Sequence, residues 1–193
     1  MPYRLAMGEA SRETPHVVQY NPEADDIELL RRAGDGDSAA FHALVDRHAQ
    51  RLYRLAVSLI GNAADAEDVL QETFIGAFRG LRSFQGRASV KTWLTRILVL
   101  QAGQWRRDRR RRRFEPMGDS IAAAGPSAEA GLDVRAAIGQ LSPEHREVLV
   151  LREFERMSYE EIAEALDVPR GTVESRLHRA RSELREKLKA YLP

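Results

Sequence analysis

The 193 residues include no cysteine. Disulfides, thiolate zinc sites and cysteine nucleophiles are therefore excluded, and a reducing cytoplasm is the expected setting. No apolar run approaches the ~18–20 residues of a membrane span, and the N-terminus lacks a signal-peptide core, so a soluble intracellular protein without membrane insertion is expected. No strand-length segment alternates apolar and polar residues, which points to an all-helical fold. No phosphate-cradling glycine loop or nucleophile elbow is present, so an enzyme reading has nothing to rest on and no cofactor is expected. Metal ligation fails on spacing. Asp35-Gly36-Asp37 opens like a calcium loop, but Ala40 stands where the loop needs glycine and Asp46 where it needs glutamate. His42 and His48 do not have the i, i+4 spacing of helix zinc ligands.

The net charge is only +1, yet it is unevenly spread. Residues 23–104 are nearly balanced, while Arg106-Arg107-Asp108-Arg109-Arg110-Arg111-Arg112-Arg113 forms a basic run suited to nucleic acid. Residues 114–133 carry acids and no base, and residues 134–193 are balanced again. A local basic patch is thus followed at once by an acidic strip.

The pattern predicts two small helical domains joined by a flexible acidic linker. Residues 1–22, with Pro2, Pro15 and Pro22, read as a mobile extension. The first domain covers 23–113. It opens with a short helix over about 23–33, with Ile27 and Leu30 inward. Asp37 is the expected cap of a helix over 38–60, whose core face holds Phe41, Leu44, Val45, His48, Leu52, Leu55, Ala56 and Leu59. Gly61 ends that helix and Asn62 caps the next, which reaches about Gly80. A loop over 83–89 precedes a long helix over about 89–112. The linker is 114–131, and the second domain, 132–193, starts near Leu132. In it, Ser142-Pro143 opens a helix to about Phe154.

Two helices carry the chemistry. Residues 65–75 place Ala66, Val69, Leu70, Thr73, Phe74, Ala77 and Phe78 on a core stripe, and Asp68, Gln71, Glu72 and Ile75 together on the other side. An acidic face with one exposed aliphatic suits a basic protein partner, although an ordinary amphipathic helix with a solvated side fits the same pattern. In the second domain, Ser158-Tyr159-Glu160-Glu161 has capping-box spacing and opens a short helix to about Leu166. A second helix begins near Pro169 or Arg170. It has Val173, Leu177, Ala180, Leu184 and Leu188 inward and Thr172, Ser175, Arg176 and Arg179 on the opposite face. With Ala163 as a small crossing residue, the pair reads as a helix-turn-helix offering hydroxyls and guanidiniums to a major groove. A plain helical hairpin is the alternative. His145 and His178 read as surface residues.

Taken together, these segments resemble the extracytoplasmic-function group of bacterial sigma factors over most of 23–190. Asp65-Ala66-Glu67-Asp68-Val69-Leu70-Gln71-Glu72-Thr73-Phe74 resembles that family's core-polymerase-binding segment. Thr92-Trp93-Leu94-Thr95-Arg96-Ile97 resembles the start of its minus-ten helix, and Gly171-Thr172-Val173-Glu174-Ser175-Arg176-Leu177-His178-Arg179-Ala180-Arg181 resembles its minus-thirty-five recognition helix. The resemblance implies a subunit that binds core RNA polymerase and directs promoter-specific initiation, not itself an enzyme. Core binding falls to Asp65, Asp68, Gln71, Glu72 and Ile75. Minus-ten DNA falls to Phe84, Gln85, Arg87, Ser89, Lys91, Trp93, Arg96, Arg106 and Arg107, with the 83–89 loop holding an unpaired base. Minus-thirty-five DNA falls to Arg170, Thr172, Ser175, Arg176 and Arg179. The acidic linker would thread toward the polymerase active site, and an anti-sigma factor is an implied partner. One departure stands out: Leu98-Val99-Leu100 occupies the place of an Asn-containing segment, so minus-ten preference does not carry over. Gln104, too, stands where an acidic or small polar residue is common.

Two other functions use part of this evidence. A stand-alone operator-binding regulator needs the helix-turn-helix but neither the acidic helix nor the arginines. An RNA- or membrane-surface binder needs only the arginines.

Overall fold

The computed structural model describes residues 22–114 and 130–189. The expected N-terminal extension and nearly all of the expected linker lie outside them. The described residues form eight α-helices and one 3-10 turn, with no strand among them: α1 (Pro22–Gly34), α2 (Ser38–Ile60), α3 (Ala63–Gly80), a 3-10 turn (Leu81–Ser83), α4 (Val90–Phe114), α5 (Ala130–Gly139), α6 (Pro143–Glu153), α7 (Tyr159–Leu166) and α8 (Arg170–Leu188). The second group thus begins at Ala130, two residues ahead of the expected start.

Local chemistry explains the boundaries. Asp37 accepts from the Ala40 N–H at 3.1 Å and also receives Arg32, which fixes the start of α2. Gly61 ends that helix at φ 92°, a left-handed cap whose N–H returns to the Val57 carbonyl at 2.8 Å. Asn62 then accepts from the Asp65 N–H at 3.0 Å and starts α3 one residue later.

The first group packs around α2, whose Leu44, Leu52, Leu55 and Leu59 are all buried. Each such leucine stabilises the fold by roughly 1.5–3 kcal/mol. The buried row of α3 is Ala66, Val69, Thr73 and Ala77. Gly76 lets α3 approach α4 closely, since a Cβ there would meet Ile97 Cγ2 at 3.2 Å. On α4, Val90, Leu94, Leu98, Val99 and Ala102 face the core.

Several residues expected inside lie differently. Ile27 is exposed, because α1 packs through the row Asp26, Leu30 and Ala33, one step around the helix. Phe78 is 57% exposed, since the α3 row that reaches the core runs through Thr73 and Ala77. Its ring instead meets Phe41, itself only part-buried, edge-on at 5.1 Å. Leu184 and Leu188 are half-buried, where α8 runs past the core.

The second group is built on α6, where five successive residues from Glu147 to Leu151 are buried. A helix is buried all round only when it has neighbours on every side. Here α8 and α7 cover part of α6, and α2 of the first group covers another. The two domains therefore lie against each other, with α4 also meeting α7.

Candidate docking and nucleic-acid interfaces

On α3, Glu67, Asp68, Gln71 and Glu72 are exposed. The expected docking row is thus presented to solvent by a helix that Ala66, Val69, Thr73 and Ala77 lock in place. Its two end members differ. Asp65 accepts from Arg109 of α4 at 2.7 Å and from the Asn62 amide, so its charge is already engaged. Ile75 is half-buried and lines an open apolar groove with Phe41, Gln71, Phe74, Phe78 and Arg79. Phe41 and Phe78 belong to this surface although the sequence pattern assigned them to the core.

The loop before α4 keeps Gln85, Gly86 and Arg87 exposed, with Gly86 at φ 67° forming its bend. Phe84 is half-buried with its ring edge-on to Trp93 at 5.3 Å. Both rings pack against the core. Ser89 accepts from the Thr92 N–H at 3.0 Å and so caps α4. Arg96 is half-buried. Of the departing segment, Leu98 and Val99 are core residues, while Leu100 is 60% exposed beside Gln104 on the outer face.

The arginine run does not act as one patch. At about 100° per residue, a helix points successive side chains in different directions. Arg107, Arg110 and Arg111 face solvent. Arg109 turns back over the Trp105 ring, 5.1 Å from its centroid, and onto Asp65. Arg106 pairs with Glu147 of α6. The side chains of Arg112 and Arg113 lie outside those described.

In the second domain, the Ser158 capping box is complete: Ser158 Oγ accepts from the Glu161 N–H at 3.1 Å, and the Glu161 carboxylate accepts from the Ser158 N–H at 2.7 Å. Asp167 makes the turn at φ 54°, a left-handed position that aspartate tolerates better than most residues. The helix-turn-helix is thus formed by α7 and α8. On α8, Glu174, Ser175, His178 and Arg179 are exposed in one row. Arg170 is exposed but bridges Glu160 and Glu174, each at 3.1 Å. Thr172 is half-buried. Arg176 is also half-buried and pairs with Glu144 of α6 at 3.0 Å. The four expected groove-facing residues therefore split, because α8 packs on α6 as well as on α7. Glu174 and His178 sit in the same i, i+3, i+4 row as Ser175 and Arg179, and His178 is exposed as expected, although the sequence pattern places neither on the groove face.

Several basic groups of the first domain meet the second. Arg51 donates to Glu155 at 2.6 Å and to Thr95 at 3.2 Å, and Lys91 donates to the Glu155 carbonyl at 2.9 Å. In the opposite direction, Arg146 of α6 donates to the Leu59 carbonyl at 3.0 Å, besides Ile138, Gly139 and Leu141. Burial pulls the Arg146 pKa below the ordinary arginine value, with Arg106 acting in the same direction and Glu147 against. The carbonyls at the ends of α2 and α5 compensate for its desolvation.

No helix among the described residues is long and apolar enough to cross a membrane, and none of their side chains forms a metal-binding cluster. The Sigma-70 region 2 family matches residues 44–112, and the Sigma-70 region 4 family matches residues 131–184. Similar proteins include the ECF RNA polymerase sigma factor SigE of Mycolicibacterium smegmatis, 42% identical over 166 residues, spanning 79% of this chain and 64% of that protein. The RNA polymerase sigma-H factor of Pseudomonas aeruginosa is 35% identical over 189 residues, spanning 88% of this chain and 97% of that one. Among solved structures, CnrH in complex with the cytosolic domain of CnrY superposes with a TM-score of 0.67 at 32% identity, covering 86% of this chain and 98% of CnrH. The sigma factor RpoE of Bartonella quintana, solved with the anti-sigma factor NepR, has the same TM-score of 0.67 at 29% identity, over 77% of this chain and 96% of that one. With both regions matched in chain order, and 42% identity to an ECF sigma factor over 79% of this chain, the chain belongs to the ECF family of RNA polymerase sigma factors.

Proposed function

We propose that this sigma factor docks on core RNA polymerase through the exposed α3 row of Asp68, Gln71 and Glu72, and reads two promoter elements with its two domains. The observation that carries this reading is the pairing of that acidic row with a complete helix-turn-helix in one chain. A regulator that binds an operator by itself has no use for the first of these. Asp65 contributes mainly by holding Arg109 and thereby fixing α3 on α4, and Ile75 extends the docking row into the apolar groove. The minus-ten element is met by Gln85, Arg87, Arg96 and Arg107. Phe84 and Trp93 support the loop, Ser89 caps its helix, and Lys91 and Arg106 join once they leave their present partners. The minus-thirty-five element is met by Ser175, His178 and Arg179, with Arg170, Thr172 and Arg176 at the edges. The polymerase supplies the chemistry and this chain supplies the address, which places its work in the cytoplasm. CnrH and the Bartonella RpoE were solved with anti-sigma partners, and an inhibitor of that kind is expected for this chain.

The test is charge reversal. Asp68→Lys and Glu72→Lys should weaken binding to core polymerase and abolish run-off transcription from a cognate promoter, while far-UV helicity stays unchanged. Truncating a buried interfacial charge costs ~2–5 kcal/mol, and a rim charge mainly slows association. Unchanged core affinity in both variants would remove this face from the docking site.

A further inference from the structure

Leu100 is 60% exposed, more than any other large apolar side chain among the described residues. Its surroundings on α4 are polar and cationic. At 3.6 residues per turn, Trp93, Arg96, Leu100, Gln104, Arg107 and Arg111 lie within about 40° of one line along the helix. Gln104, Arg107 and Arg111 are exposed, and Trp93 and Arg96 are half-buried, so the whole stripe reaches solvent. Beside Leu100 the backbone is bare at Gly103. A Cβ there would meet only Arg107 Nη1 at 3.5 Å and Arg106 Nη2 at 3.8 Å, both from its own helix. No neighbouring helix among the described residues therefore requires a glycine at this place, in contrast to Gly76. We infer that Leu100, next to the bare backbone of Gly103, reads the 5-methyl group of a thymine in the minus-ten element, while Arg107 and Arg111 hold adjoining phosphates. This inference rests on the sigma reading above and names the base that α4 prefers.

The chemistry of the side chain selects the base. Leucine has no donor and no acceptor, so against a base edge it gains only by apolar contact. Thymine alone carries a methyl group on that edge. The N6 of adenine, the N4 of cytosine or the O6 of guanine turned onto Leu100 would lose water and find no partner. Thymine is thus favoured twice, by what it adds and by what the others lose. A stripe that held only phosphates would gain more from another cation at this position. A protein-docking patch gathers several apolar side chains, as the groove of Phe41, Phe74, Ile75 and Phe78 does. Leu100 is the single aliphatic in its stripe. Glycine within a helix weakens it relative to alanine, and what Gly103 permits in return is close approach of another molecule's backbone.

The test uses holoenzyme reconstituted from the full chain and core polymerase. It is first offered promoter DNA with a randomised minus-ten element. Enriched sequences should hold thymine at one position, and Leu100→Asn, nearly isosteric but polar, should lose that preference. Each thymine of an enriched promoter is then replaced singly by deoxyuridine, which removes only the methyl group. One replacement should weaken holoenzyme binding by roughly 3- to 10-fold, the effect of one buried methyl. Leu100→Asn should be indifferent to that replacement, and Leu100→Met, still apolar, should remain sensitive. Gly103→Ala should raise the melting temperature yet weaken binding to the same promoter. Indifference of the parent to every deoxyuridine replacement overturns the proposal without any variant having to fold. A Leu100→Asn holoenzyme that keeps the methyl sensitivity overturns it equally, as does a Gly103→Ala holoenzyme that binds as tightly as the parent. Enrichment without methyl dependence removes only the role of Leu100, whereas no enrichment of any sequence discards the promoter reading and this inference with it.

Discussion

Arg179 and Arg176 are three positions apart on α8, yet the structure gives them different work. Arg179 is exposed in the row with Ser175 and His178, whereas Arg176 is tied to Glu144 and half-buried. A bidentate arginine–guanine contact is worth ~1–3 kcal/mol of discrimination. Arg179→Ala should therefore relax base preference in the minus-thirty-five element, while Arg176→Ala should mainly lower the melting temperature. A selection from a randomised minus-thirty-five library, compared with thermal melts, separates the two effects. His48 offers a second residue-level test. It is buried and its Nε2 lies 2.8 Å from Asp26 Oδ2. Burial pushes its pKa below the usual histidine value, opposed by Asp26, with Arg51 and Arg47 adding a smaller push in the same direction as burial. The folded state thus binds this proton less readily than the unfolded chain. The stability His48 provides is fully present above the unfolded value near 6.5 and is lost as pH falls below it. Melting temperatures at pH 7 and pH 5 should differ more for the native chain than for His48→Gln.

At the scale of elements, short helices depend most on their ends. With eight residues, α7 is too short to form by propensity, so its capping box and its packing on α8 must hold it. Ser158→Ala should cost about 1 kcal/mol, measured by urea unfolding. Promoter binding should fall with it, because α7 sets the angle at which α8 is presented. Glu161→Gln keeps a side-chain acceptor for the Ser158 N–H and should cost less. The longest helix, α4, shows the opposite economy. Its first half is anchored by five buried apolar residues from Val90 to Ala102, and its arginine half is distributed among solvent, α3 and α6.

For the whole molecule, affinity for promoter depends on both domains acting together. Each domain docked on polymerase raises the effective concentration of the other at its own element. The second domain carries eleven basic and eleven acidic residues over 134–193, so it has no net charge to hold it on DNA by itself. Full-length protein with core polymerase should bind a two-element promoter far more tightly than free protein does, measured by fluorescence anisotropy. Equal affinity and equal specificity without core would instead indicate an operator-binding regulator.

The sequence alone determined what depends on neighbours along the chain. The 3.6-residue periodicity, the caps at Asp37, Asn62, Ser142 and Ser158, and the stop at Gly61 set most helix boundaries to within two residues. The exposed acidic row of α3 and the helix-turn-helix were legible for the same reason, since helical spacing fixes which side chains share a face. What the sequence did not determine was which face each helix turns to a distant partner. Phe78 and Ile27 have core-like spacing but lie one step off the rows that meet α2 and the rest of the core. Arg176 has groove-like spacing but lies on the α6 side. The pairing of Glu147 and Glu155 with Arg106, Arg51 and Lys91 joins residues 41 to 104 positions apart, and no local pattern encodes it. Such contacts are set by how whole helices pack, because a side chain's partner across a domain boundary depends on the crossing of two elements, not on its own place in either one.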